Sequence, residues 1–195
     1  MGAPAKLVAT NAVSTKIKTL KVAHILRAGG LLGHTTSTLA GVAASANSAR
    51  GIQRVQRFKQ RKAPFLLLAD SVSTALKQAV MISPALRKLA KQSWPGSVTL
   101  VFPATQVLAK ACYQQGHVAI RVDNDEETRR LAKYCGGLLL SSSLNRKGKA
   151  VEKPNHKLRF RWKRYLAATF HASQQSQGKA SQIFKISGHK IKQLR

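Results

Sequence analysis

Four short apolar runs, Phe65–Ala69, Val98–Phe102, Val118–Val122 and Leu138–Ser142, are separated by stretches of helical period, and this alternation constrains the chain more than any other feature. Runs of five residues have the length of buried strands and are too short for core helices. Strands interleaved with helices belong to a mixed α/β domain whose sheet is largely covered. The helical stretches carry their own boundaries. Ser14 or Thr15 can cap a helix with Ile17, Leu20, Ile25 and Leu26 on its apolar side, stopping at Gly29-Gly30 before a short strand at Leu31-Leu32. A second helix starts near Asn47 and aligns Ile52, Val55 and Phe58. Ser73–Ile82, Pro84–Gln92 and Thr105–Gln114 also read as helices, Asp125 caps another that runs through Tyr134 to Gly136-Gly137, and Gln182–Ile186 reads as a last strand.

With 195 residues, 44% of them hydrophobic, one domain with a sizeable core is expected. Thirty-four Lys+Arg face six Asp+Glu, a formal charge of +28, and no acid precedes Asp70. Such self-repulsion asks for a polyanion, and RNA is the obvious one. A membrane partner is not expected: no basic amphipathic helix stands out, and the longest apolar run, Phe65–Ala69, falls far short of a bilayer span. Residues 1–16 are expected to form a basic N-terminal arm and residues 17–195 the domain. Within it, residues 146–180 read as a basic, partly disordered appendage in which Phe160, Trp162 and Tyr165 are interleaved with cations; Arg159, Arg161, Lys163 and Arg164 are its candidate RNA-binding residues. Cys112 and Cys135 are too few and too far apart for a disulfide framework or a metal knuckle, and fit buried thiols in a reducing cytoplasm.

The shortage of acids excludes whole reaction classes. Asp70, Asp123, Asp125, Glu126, Glu127 and Glu152 are the only carboxylates, and most crowd into one helix start, so a glycosidase pair, a two-metal nuclease or a calcium loop is implausible. No metal site is expected. There is no G-x-x-x-x-G-K-[ST], G-x-G-x-x-G or H-E-x-x-H, and no glycine elbow flanks Ser141-Ser142-Ser143. His34 and His117 are the histidines nearest the residues described next, and each reads as structural.

Four segments carry polar equipment in a fixed order: Lys59-Gln60-Arg61, Trp94-Pro95-Gly96-Ser97-Val98-Thr99, Arg121 inside Val118–Val122, and Ser141-Ser142-Ser143-Leu144-Asn145. They supply two cations at a helix end, a rigid corner feeding a strand, an arginine within a strand, and hydroxyls with an amide at a strand end. Converging, these would make a pocket for an anionic ligand.

In type, order and spacing the segments resemble the YrdC/TsaC family of threonylcarbamoyl-AMP synthases over about residues 20 to 150, with a weaker echo at Gly178–Ile183. The resemblance implies a single YrdC-like domain: a twisted mixed sheet with flanking helices and a basic concave face. It also implies a nucleotidyltransferase that makes threonylcarbamoyl-AMP from threonine, bicarbonate and ATP, with Mg²⁺, for tRNA threonylcarbamoyladenosine modification in the cytoplasm, in contact with tRNA or a tRNA-modifying protein complex. Lys59 and Arg61 would then be the catalytic cations of a K-x-R motif. Thr99, Arg121, Ser141, Ser143, Asn145 and Ser181 would bind ATP, and Thr36 would bind threonine. The alternative is a non-catalytic YrdC-fold protein that binds double-stranded RNA. The family's first loop usually reads Tyr-Pro-Thr-Asp/Glu-Thr-x-Tyr/Phe-Gly; here it runs from His34 to Gly41 as His-Thr-Thr-Ser-Thr-Leu-Ala-Gly, keeping Thr36 and Gly41 but neither the carboxylate nor the second aromatic.

Overall fold

The apolar runs become central strands of a ten-stranded mixed sheet in the computed structural model, which describes residues 18–146, 148–153, 155–170 and 178–195, with the backbone alone at 156 and 159. In chain order the elements are α1 (residues 18–27), β1 (Leu31–His34), β2 (Gly41–Ser45), α2 (Ala49–Lys59), β3 (Leu66–Ala69), α3 (Val72–Leu76), α4 (Pro84–Ser93), β4 (Val98–Pro103), β5 (Tyr113–Gln114), β6 (His117–Val122), α5 (Glu126–Tyr134), β7 (Leu138–Ser143), α6 (His156–Arg161), β8 (Leu166–Phe170), β9 (Gln182–Ser187) and β10 (Lys190–Gln193). The sheet runs β10-β9-β4-β6-β3-β7-β2-β1-β8, with β5 paired to β6. The pairs β9–β4, β6–β3 and β1–β8 are parallel and the rest antiparallel.

The two-residue period of each strand splits its side chains between two cores. Leu67, Leu100, Ile120 and Leu140 pack with Ile52, Val55 and Phe58 of α2 and with Leu86 and Ala90 of α4. Leu32, Ala43, Leu68 and Leu139 face the other way, onto Val22 and Leu26 of α1 and Leu131 and Ala132 of α5. Each large apolar side chain so buried contributes about 1.5–3 kcal/mol. On this second face the apolar cover gives out. Two residues beyond Leu139 the strand presents Ser141, paired with Leu66 on β3, while Arg121 stands on β6 in the register of Leu68. These side chains open onto a hollow instead of a helix.

The sequence misreads three places. Strand β2, Gly-Val-Ala-Ala-Ser, lacks the β-branched weight of its neighbours but is fully buried between β7 and β1. Its small side chains admit α2 closely: a Cβ on Gly51 would lie 3.2 Å from Ala44 Cβ. The helices expected at Ser73–Ile82 and Thr105–Gln114 do not run their length. The first stops at Leu76 because Ala79 bridges to Ala104 and Val80 N–H donates to Pro103 O. The second is a turn followed by a short 3₁₀ segment, Lys110–Cys112, held open by Tyr113, whose hydroxyl donates to Thr105 O (2.6 Å) and accepts from Leu108 N–H (2.9 Å).

The segment expected as an appendage is built into the fold where it is described. Strand β8 pairs in parallel with β1, Leu158 and Leu166 join the core, and Trp162 and Tyr165 stack edge-on against Phe58 at 5.4 and 5.7 Å. Residues 1–17, 147, 154 and 171–177 lie outside the described residues, and with them the N-terminal arm and the Ser14 or Thr15 cap. Cys112 and Cys135 are buried free thiols, pushed up to about 11 by desolvation.

Candidate functional site

Helix α2 ends at Lys59, and Gln60 takes a left-handed conformation (φ 53°) that turns the chain back. The turn sends Lys59 and Arg61 over the end of β7. Lys59 Nζ donates to Ser143 O (2.7 Å), Asn145 O (2.5 Å) and Asn145 Oδ1 (2.7 Å). Asn145 Oδ1 also accepts from Ser143 Oγ (2.7 Å). Lys59 is only 6% exposed, and burial, with Arg61 beside it, lowers its ammonium to about 8. The two motifs most distant in sequence are therefore one unit. In this state the lysine is a strut that shapes the Ser143–Asn145 turn, with its three N–H groups spent on protein oxygens. Arg61 stays exposed at the mouth, its guanidinium 4.7 Å from the Phe65 ring centroid and 3.3 Å from Ser142 Oγ.

Behind Arg61 the hollow has a volume of about 300 Å³ and is lined by Thr36, Thr38, Leu39, Ala40, Arg121, Ser141, Ser181 and Arg195, among others. A second space of about 450 Å³, lined by Lys59, Asn145 and Arg146, shares Arg61, Ser142 and Ser143 with it, so the two adjoin. The loop between β1 and β2 is fixed by hydroxyls: Thr36 Oγ1 donates to Leu39 O (2.9 Å) and lies 3.0 Å from Thr38 Oγ1. Arg121 is 2% exposed, donates to Thr38 Oγ1 (2.5 Å) and pairs with Asp123 Oδ2 (2.6 Å). Burial lowers the Arg121 guanidinium from its ordinary value and Asp123 opposes that shift.

The far wall is set by the tryptophan corner. Trp94 Nε1 donates to Val98 O (2.8 Å) and Gly96 N–H to Val122 O (2.8 Å), where any Cβ on Gly96 would meet Ser93 O at 2.4 Å. The corner thus fixes the entry of β4. Thr99 there is buried and donates to Ser181 Oγ (3.0 Å), and Arg195 returns from the end of β10 to donate to Ser181 O (3.0 Å) and Oγ (3.4 Å). Thr99 sits beneath the hollow and reaches it only through Ser181. Under the first loop, His34 is fully buried, its Nε2 3.2 Å from Ser141 Oγ; desolvation brings it down to about 4, against the pull of Asp123. His117, at the other end of β6, contacts Gln115 O and takes no part.

Lys59, Arg61, Thr36, Arg121, Ser141, Ser143, Asn145 and Ser181 therefore converge, with Thr99 supporting them. Sequence reasoning missed Arg195, Thr38 and Asp123. Thr38 falls on the second threonine of the family's loop pattern, and Asp123 follows Arg121 by two residues in extended chain, so both had a signal. Among the expected RNA contacts, Arg161 is already paired with Glu152 Oε2 (2.8 Å), Lys163 lies 5.2 Å from the centroid of the exposed Phe160 ring, Arg164 is exposed, and the Arg159 side chain is outside the described residues.

The donor set does not suit a metal held by the protein. No carboxylate lines either space, no three His, Cys, Asp or Glu converge among the described residues, and the best neutral oxygen, Asn145 Oδ1, already faces the Lys59 ammonium.

The family model for Sua5/YciO/YrdC, described as telomere recombination, matches residues 24–195. The chain belongs to this family. Curated relatives named threonylcarbamoyl-AMP synthase include one from Thiobacillus denitrificans, 31% identical over 126 residues (63% of this chain, 67% of the relative), and one from Chromobacterium violaceum, 29% identical over 126 residues (63% and 65%). The chain thus spans about two thirds of the curated relatives it matches. Sua5 of P. abyssi, solved in complex with L-threonine, shares the fold with a TM-score of 0.82 at 23% identity, over 92% of this chain and 54% of that one. E. coli YciO gives 0.79 at 17% identity, over 92% and 89%. The expected fold class, a YrdC-like α/β domain with a twisted mixed sheet, is borne out. Among the described residues no helix is long and apolar enough to cross a membrane.

Proposed function

We propose that this pocket makes threonylcarbamoyl-AMP from threonine, bicarbonate and ATP, in the cytoplasm, for modification of tRNA. One observation carries the reading: Lys59 Nζ, at the end of α2, lies 2.7 Å from Asn145 Oδ1, at the end of β7, and so assembles the K-x-R and S-x-N segments into one cationic, hydroxyl-lined hollow. A basic patch for RNA alone has no need of that amide–hydroxyl–ammonium unit.

The chemistry follows from the donors available. The amine of threonine attacks bicarbonate and water leaves, giving a carbamate. One carbamate oxygen attacks the α-phosphorus of ATP; the bond from that phosphorus to the α,β-bridging oxygen breaks, and pyrophosphate departs with the electron pair. No side chain bonds to the substrate, so the protein acts by position and by charge aimed at the triphosphate. Arg61, exposed at the mouth, and Arg195, which lines the same hollow, meet the phosphates. Lys59 keeps Ser143 and Asn145 in register, and Arg121 supports Thr38 from beneath. Thr36 and its loop face the amino acid. Mg²⁺ enters as part of the ATP substrate, since the described residues offer it no cage.

A second reading, binding of double-stranded RNA without catalysis, is favoured by Leu39 and Ala40, which line the hollow where the family pattern has an aromatic beside the conserved glycine. Pyrophosphate release separates the two. Release that needs both threonine and bicarbonate, and that Asn145→Ala abolishes, supports the synthase. ATP turnover independent of threonine, or none at all beside tight and steeply salt-dependent RNA binding, selects the second.

A further inference from the structure

A guanidinium as buried as Arg121 needs a counter-charge, and the loop that covers it brings none. Ser37 is 5% exposed and its hydroxyl has no partner, while its own backbone N–H donates 3.2 Å to Asp123 Oδ1. Asp123 is fully buried; its Oδ1 also accepts from Asp125 N–H (2.9 Å), and its Oδ2 pairs with Arg121 at 2.6 Å. Arg121 passes the constraint on to Thr38, and Thr38 N–H donates to Thr36 Oγ1 (3.2 Å). One carboxylate therefore ties the end of β6, the strand arginine and the pocket loop together.

We propose that Asp123 is the positioning residue of this pocket, a strand-end carboxylate that reaches the backbone of residue 37 and sets the Thr36–Thr38 loop against Arg121 for the amino-acid substrate. The choice of amino acid as substrate rests on the synthase reading; the tie between strand and loop does not. Because residue 37 lies against Asp123, either position could supply the carboxylate. Ser37→Asp alone places two acids on one guanidinium, Asp123→Ser alone leaves none, and only the double variant restores one.

The test compares wild type, Asp123→Ser, Ser37→Asp and the double variant by threonine KM, kcat and amide exchange. Each single variant is expected to raise the threonine KM about ten-fold and the double variant to return within about three-fold of wild type, the coupling expected of groups that share a partner. A role confined to fold stability lowers the active fraction, and hence apparent kcat, while leaving KM in place. A folded double variant as impaired as the worse single one overturns the proposal, and so does an Asp123→Ser enzyme with unchanged threonine KM. Should Asp123→Ser not fold, Asp123→Asn, which keeps the shape and the acceptor but not the charge, takes its place with the same two outcomes. Amide exchange works without catalysis: faster exchange at residues 36–38 in the Asp123 variant, with β3 and β7 amides unchanged, upholds the tie even if wild type releases no pyrophosphate and the synthase reading fails. Unchanged exchange at residues 36–38 overturns it.

Discussion

Acidification should weaken this fold through one histidine. His34 is fully buried beneath the first loop, held near Ser141 Oγ, with Arg121, Asp123 and Asp125 as the charges around it. Desolvation, the largest cause, together with Arg121, outweighs the two aspartates and lowers the imidazole from 6.5 to about 4. The unfolded chain therefore takes up a proton that the folded chain refuses between those values, and stability falls as pH falls. The contribution is fully present above the unfolded value and is lost progressively down to the folded one. From about pH 7.5 to about pH 5 the loss is about 2 kcal/mol, approaching about 3 kcal/mol near pH 4, where other carboxylates begin to titrate. Urea unfolding of wild type and His34→Gln across the upper part of that window isolates the effect, because the remaining five histidines are common to both chains. Wild type should lose about 2 kcal/mol more than the variant. Parallel pH profiles would refute the reasoning, since His34 would then be protonated in the fold or exposed to water.

Three further outcomes follow from the site. Lys59→Met removes the donor shared by Ser143 O, Asn145 O and Asn145 Oδ1, and should cost about 2 kcal/mol of stability in chemical denaturation, because water can replace only part of what is lost. Thr99→Val keeps the shape under the hollow but strands Ser181 Oγ on Arg195 alone; about 1 kcal/mol of stability should go, measured by the same method. Arg195→Ala should raise the ATP KM about ten-fold with stability nearly unchanged, whereas Arg164→Ala should leave that KM alone and reduce the salt dependence of RNA binding by about one charge, as filter binding at several ionic strengths would show.

Much of the fold could be read because strand length, glycine stops and caps are local signals. Asp125 caps α5 by accepting from Thr128 N–H, and Ser48 caps α2 through Gly51 N–H. Strand β2 escaped because its small residues answer to α2 packed across them, a partner that no window of sequence contains. The pocket was legible in its parts, since Lys59, Arg61, Ser143 and Asn145 have types and spacings that survive in the chain. Their division of labour was not: two cations two residues apart look equivalent until one is buried on carbonyls and the other is left in water. Arg195 was hidden by the same gap: Gly188 marks a turn, but no window of sequence says that the hairpin brings the chain back to Ser181. Asp123 read as one acid among several near a helix start, and only the geometry separates it from Asp125, which caps.

The most direct test of the whole account is transfer of isotope-labelled bicarbonate into an adenylate, followed by mass spectrometry. With threonine and ATP, wild type should place the label in a product that carries both threonine and AMP, and Arg61→Ala and Asn145→Ala should not. Label absent from any nucleotide while ATP and threonine are demonstrably bound, or product formed at the wild-type rate by Asn145→Ala, would contradict it.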